Sequence, residues 1–131
     1  QHPDGCTAYR IDEPATNSSC VIATDIEWGL SDAVQRAQFM KLCSGPSPAS
    51  LLVMDGQHDA AEYAKFKGWG HSAWQDCVAI AREAGIARLL VSHHAPMKDD
   101  AELAKRDAAI TRAWPRARLA REGDEVKVGE T

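Results

Sequence analysis

The chain has 131 residues, 44% of them hydrophobic and 26% charged, which is the composition of one soluble globular domain with a single core. A formal net charge of -4 excludes bulk electrostatic attraction to nucleic acid or to an anionic membrane. No apolar run reaches the roughly 20 residues of a membrane span, and Gln1-His2-Pro3-Asp4-Gly5 has neither region of a signal peptide.

In chain order, Cys6 to Ile11 predicts a strand and Glu13 to Ser19 a turn. Residues 20–24 are apolar except for Thr24, which suits a strand covered on both faces. Ser31 is the expected N-cap of a helix with Ala33, Val34, Ala37 and Met40 at helical spacing. Gly45-Pro46-Ser47-Pro48 ends that helix, and residues 51–54 form a third strand. Asp59 to about Phe66 reads as helical, and Lys67-Gly68-Trp69-Gly70-His71 as a glycine-bracketed loop. Ser72 and Gln75 predict a capping box before a helix that buries Trp74, Cys77, Val78 and Ala81. Gly85 is its expected C-terminal stop. A strand over 88–92 leads to His93, and Asp99 with Glu102 opens a helix that stops before Pro115. Arg118 to Ala120 and Glu125 to Val128, joined through Gly123-Asp124, form an expected terminal hairpin. Strand–helix alternation of this kind predicts α/β layers. The first strand is expected to leave an unpaired edge that needs cover.

Cys6, Cys20, Cys43 and Cys77 have no C-x-x-C spacing and read as reduced thiols of a cytoplasmic protein, three of them in apolar segments. Arg112, Arg116, Arg118 and Arg121 precede the next acid, Glu122. A solvated helix end is the ordinary reading of that cluster; a phosphate-facing arm is the rarer one.

The chemistry gathers at strand ends. Asp25 follows Cys20 to Thr24, Asp55 follows Leu51 to Met54, and His93 follows Arg88 to Ser92. Ligands of α/β proteins collect beyond the carboxyl ends of strands, so residues repeated there converge. Imidazole and carboxylate are also the donors of zinc and related hydrolytic metals. A lone Asp at a strand end is often only a turn cap; two of them, with histidines at comparable ends, point to a site. His71 stands just before a helix, whose positive end favours a neutral ring fit for ligation or proton exchange. Of His93 and His94 only one should face the site, and His94 is expected at the surface. His58 is likewise expected in solvent. Trp28, Trp69, Trp74 and Trp114 are expected to pack core and loops.

His2-Pro3-Asp4-Gly5-Cys6-Thr7-Ala8-Tyr9-Arg10-Ile11 resembles the metal-ligand segment of metallo-β-lactamase-fold hydrolases, in the branch near ribonuclease Z. Ala23-Thr24-Asp25 resembles the strand end with the bridging aspartate, and Gly70-His71-Ser72 the histidine loop that pairs with the carboxylate ending 51–55. Leu89 to His93 is similar to the strand that delivers the last metal histidine. The resemblance runs from residue 2 to about residue 123.

It implies that His2 and His93 each ligate one of two divalent ions, with Asp25 bridging them and Asp55 with His71 forming the catalytic or substrate-orienting pair. Zinc is the first expectation for the metal, with manganese or iron as alternatives. The implied fold is the C-terminal part of an αββα sandwich, so that residues 1–131 form one partial domain. The family's His-x-His-x-Asp-His motif is absent from the 131 residues. The resemblance therefore implies a companion N-terminal segment or chain to complete the metal site, a reading that agrees with the lack of an initiating Met. The implied activity is metal-dependent hydrolysis of a phosphodiester or another small ester substrate. The alternative is a non-catalytic regulatory or interaction domain of the same fold; a third reading, a nucleic-acid-binding domain, rests only on the arginines at 112–121.

Overall fold

Three apolar runs lie side by side as parallel strands in the computed structural model, which describes residues 2–129. They are β2 (Ser18–Ala23), β3 (Leu51–Asp55) and β4 (Arg88–Ser92). A fourth parallel strand, β5 (Ala117–Leu119), joins β4, and β1 (Tyr9–Glu13) pairs antiparallel with β2. The strands of this mixed five-stranded sheet stand in chain order. The helices are α1 (Ala33–Ser44), α2 (Ala60–Phe66), α3 (Trp74–Glu83) and α4 (Asp100–Ala113). Right-handed crossovers between sequential parallel strands put the connecting helices on one face, and the burial follows that rule.

On the helix-covered face, Val21, Ala23, Leu52, Met54, Leu89, Val91, Ala117 and Leu119 line up in register and are all buried. They pack with Phe39 and Cys43 of α1, Trp74, Cys77, Val78 and Ala81 of α3, and Ile110 of α4. Each fully buried Leu or Met there contributes about 1.5–3 kcal/mol. The cysteines at 43 and 77 behave as small apolar groups, and burial pushes the Cys43 thiol up to about 12. Arg10, on the same face of β1, donates to the Leu42, Cys43 and Ser47 carbonyls, fastening the edge strand to the end of α1.

The opposite face is less well covered. Ile22 and Val53 are half-buried there, and Tyr9 and Ile11 are 61% and 57% exposed. The edge expected at the first strand is present, shifted to residues 9–13, and β1 pairs only with β2 among the described residues. The expected terminal hairpin is not formed. Ala117 and Leu119 alternate onto the core, so residues 117–119 extend the sheet beside β4 while 125–128 carry no strand. The tail instead crosses this second face, with Val126 beside Leu51 and Leu90, and Arg88 donating to the Lys127 carbonyl.

The helix-end signals expected at Asp99 and Gly85 are met, and those at Ser31 and Ser72 are not. Asp59 and Asp99 cap α2 and α4 with reciprocal boxes to Glu62 and Glu102. Gly85 takes a positive φ of 71° after α3, which lets Ile86 N–H reach back to the Ala81 carbonyl. Asp32, rather than Ser31, caps α1, because its box with Gln35 satisfies two backbone N–H groups at once. The Ser31 hydroxyl donates to the Glu27 carbonyl instead. No helix among the described residues is long and apolar enough to cross a membrane.

Candidate metal and catalytic centre

Parallel strands all end on one side, and the chemistry-bearing residues collect there. Asp25 follows β2, Asp55 closes β3 and His93 follows β4. His71 arrives from the loop between α2 and α3. Donor atoms of Asp25, His71 and His93 lie within 4.8 Å of one another, close enough to share one ion. His93 Nε2 is 3.6 Å from Asp25 Oδ1, too long for a hydrogen bond but suited to two groups facing a common cation. The His71 and His93 rings stack with centroids 4.6 Å apart.

Asp25 and His93 share a further property. Both hold left-handed backbone, with φ of 54° and 62°, a conformation uncommon outside glycine that collects at functional sites. Both side chains are partly open to solvent, at 44% and 31% exposed.

Asp55 is different. It is fully buried and accepts His71 Nδ1 at 2.7 Å and the Gln57 N–H at 3.1 Å. Burial pushes its carboxyl above the usual range, against the opposing pull of His71. Because Nδ1 is engaged, Nε2 is the His71 atom left to face Asp25 and His93. A carboxylate that orients an imidazole in this way fixes both its tautomer and its direction.

His2 comes to the same place from the N-terminal segment. Its ring meets His71 edge-on at 6.1 Å between centroids, and its Nδ1 is buried without a hydrogen-bond partner. The fit is close: Gly70 has a φ of 95°, and a Cβ there would collide with the His2 ring. Asp25, Asp55, His71 and His93, with His2 at the flank, therefore share one site. Imidazole and carboxylate donors with an orphaned imidazole nitrogen are the chemistry of a divalent-metal centre.

Two histidines expected in solvent are not there. His58 is 4% exposed, stacks flat on Phe66 at 4.6 Å and leaves Nε2 buried without a partner. Burial, then the neighbouring His71, lowers its ring below the ordinary histidine value. A backbone bridge to the start of α3 draws it in, since His58 N–H donates to Ser72 and Trp74 N–H donates to His58. His94 turns toward the end of β5, where Nε2 meets the Ala120 carbonyl at 2.8 Å.

Ser72 also departs from expectation. The N-cap of α3 is Ala73, without a side-chain cap. The Ser72 hydroxyl donates to the Ile26 carbonyl at 2.5 Å and accepts the Trp28 N–H at 3.0 Å. Gln75 serves Ala60 and Asp59 rather than a capping box.

Glu27 has no counterpart in the sequence reading. It is 1% exposed and accepts the Tyr63 hydroxyl at 2.6 Å, Gly68 N–H at 2.7 Å and Gly70 N–H at 2.8 Å. Burial pushes its carboxyl up, but the hydrogen bonds from Gly68, Tyr63 and Gly70 outweigh it and hold the group below the usual range. Its place two residues after Asp25 was the one signal available.

Comparison with known proteins gives partial matches. The chain is similar to ribonuclease BN of Escherichia coli, 34% identical over 65 residues that cover 44% of this chain and 21% of the relative. It is also similar to ribonuclease Z of Lactococcus lactis subsp. cremoris, 40% identical over 45 residues, or 34% of this chain and 15% of the relative. The matches thus span about a fifth or less of those proteins. No family model matches the chain, and no solved structure matches it.

Proposed function

We propose that this chain is the C-terminal part of a metal-dependent hydrolase of metallo-β-lactamase type, acting on phosphodiester or related ester bonds. The observation that carries this reading is the convergence of Asp25, His71 and His93 at the strand ends, with Asp55 orienting His71 from behind. The ribonuclease relatives favour a phosphodiester substrate.

His2, Asp25 and His93 would hold the divalent ions, zinc first. Such ions polarise the scissile group and make bound water nucleophilic near neutral pH. The chain's own residues do the rest. Asp55 holds the His71 ring, whose Nε2 faces the reacting group to steady charge or pass a proton to the leaving oxygen. The backbone at Asp25 and His93 holds the two carriers of the metal edge toward each other.

Three protein ligands plus water are typical of a catalytic zinc, so His2, Asp25 and His93 leave two ions short of donors. The remaining ligands belong to a companion N-terminal segment, and the half-covered sheet face around Tyr9, Ile11, Ile22 and Val53 is suited to receive it. The compartment in this reading is the cytoplasm. Zinc titration of the chain, alone and with a polypeptide carrying the His-x-His-x-Asp-His motif, tests the whole reading. Binding should be weak alone and tight together, with phosphodiesterase activity only in the second case. Tight stoichiometric zinc in the chain alone, lost on His71→Ala, would make His71 a ligand and remove the need for a companion.

A further inference from the structure

We infer that Glu27 and Ser72 form a clasp that positions His71, gripping the chain on both sides of it from the single segment 26–28. The consequence for turnover rests on the hydrolase reading above; the clasp itself does not.

A carboxylate withdrawn from water is costly unless its oxygens find donors. Glu27 finds three among the described residues, and two are the backbone N–H groups of Gly68 and Gly70. Those glycines hold φ of 91° and 95°, conformations that L side chains rarely adopt. The loop is therefore turned so that alternate N–H groups meet the carboxylate, while the Trp69 N–H between them donates to the Phe66 carbonyl. Trp69, between them, is left 65% exposed.

One residue past His71 the same grip is repeated with a hydroxyl. Ser72 Oγ donates to Ile26 and accepts from Trp28, the two neighbours of Glu27. His71 thus hangs between two fixed points, which leaves Asp55 to set the rotation of its ring through Nδ1. A packing role alone would be served by an apolar side chain at position 27. Charge-assisted bonds to backbone N–H groups are stronger than neutral ones and fix direction as well as distance. Asp25 lies two residues upstream on the same exit from β2, so one segment sets both the metal edge and the histidine.

The test compares Glu27→Gln, Ser72→Ala and Tyr63→Phe in the 131-residue chain by nuclear magnetic resonance. In Glu27→Gln the amide –NH2 cannot accept, so one side of the carboxylate's bonding is lost. Gly70 amide protection should fall by about tenfold or more, the loss of one charge-assisted bond, while Leu89 and Val91 amides keep theirs. The His71 ring nitrogens should pass from one tautomer, protonated at Nδ1, to an exchanging mixture. Ser72→Ala should do the same to His71 with a smaller change at Gly70. Tyr63→Phe removes only the phenol donor and should leave both signals as in the unsubstituted chain. In the complete enzyme, Glu27→Gln should lower kcat with KM and metal content unchanged.

Unchanged Gly70 protection and His71 tautomer in Glu27→Gln and Ser72→Ala would overturn the clasp. So would tautomer exchange at His71 in the unsubstituted chain. If Glu27→Gln fails to fold, Ser72→Ala decides by the same His71 signal. Absence of metal-dependent turnover in the complete unsubstituted protein would instead overturn the hydrolase reading, and the resonance measurements would still judge the clasp.

Discussion

The two sides of the site are built in opposite ways. The His71 ring is hydrogen-bonded by Asp55 behind it, and the chain around it is held by Glu27 on the preceding loop and by Ser72 just after it. Asp25 and His93 sit on left-handed backbone, partly exposed, with only a 3.6 Å contact between them. The first arrangement is complete within the chain. The second leaves the Asp25 and His93 side chains without a hydrogen bond among the described residues, which suits the metal role proposed for them. Preorganisation is thus concentrated on the residue proposed to face the substrate, and openness on Asp25 and His93.

The sharpest way to break that contrast is to remove charge from the open side. On the hydrolase reading proposed above, Asp25→Asn should abolish turnover of the complete protein and lower its metal content, since a neutral amide is a poorer ligand than a carboxylate. His93→Ala should do likewise. Full metal content in both variants, measured by elemental analysis, would move the metal away from this edge.

On the closed side, His71→Ala should lower turnover by about 10²–10⁴-fold, the usual worth of a positioned acid or base, and leave metal content intact. Asp55→Asn should give a comparable loss, and the double variant little more, because the two act as one unit. Metal lost in proportion to activity in His71→Ala would join the two sides into one ligand set.

Smaller effects separate the site from its surroundings. His58→Ala should cost about 0.5–1.5 kcal/mol of stability through its stack on Phe66, visible as a lower midpoint in urea. His94→Ala should cost about 0.5–1.5 kcal/mol, one ordinary hydrogen bond. Neither should reduce activity as Asp25→Asn does. A collapse of turnover in His94→Ala with Asp25→Asn active would reverse the choice within the His93-His94 pair.

The smallest effect concerns acid. Burial raises the Asp59 carboxyl, but bonds from Ala61, Trp74 and Gln75 outweigh it and leave it lowered; Glu62 is lowered chiefly by Lys98. Groups lowered by folding stabilise the protein above their unfolded values near ~4 and lose that contribution as pH falls through the folded ones. Asp59→Asn keeps a helix cap without the charge. Its acid unfolding, followed by tryptophan fluorescence, should therefore be shallower below about pH 4 than that of the unsubstituted chain. An identical acid limb would place the lability elsewhere.

Much of this was legible in the sequence because it depends on near neighbours. The apolar runs at 51–54 and 88–92, the Asp99 cap, the buried stripe of α3 and the Gly85 stop are all set within a few positions of chain. The gathering of Asp25, Asp55 and His93 was legible for a related reason: parallel strands end on one side, so residues that follow them meet there. Tertiary structure decided which partner each polar group chose. Ser72 looked like a cap and instead bonds Ile26 and Trp28, His58 looked solvated and was buried by a backbone bridge and an aromatic stack, and Glu27 offered only its place two residues after Asp25. Its hydrogen bonds and those of Ser72 to Ile26 reach across 36 to 46 positions. A carboxylate or hydroxyl can satisfy itself locally or far away, and burial makes the distant donor the better partner only once the sheet has brought the two segments together.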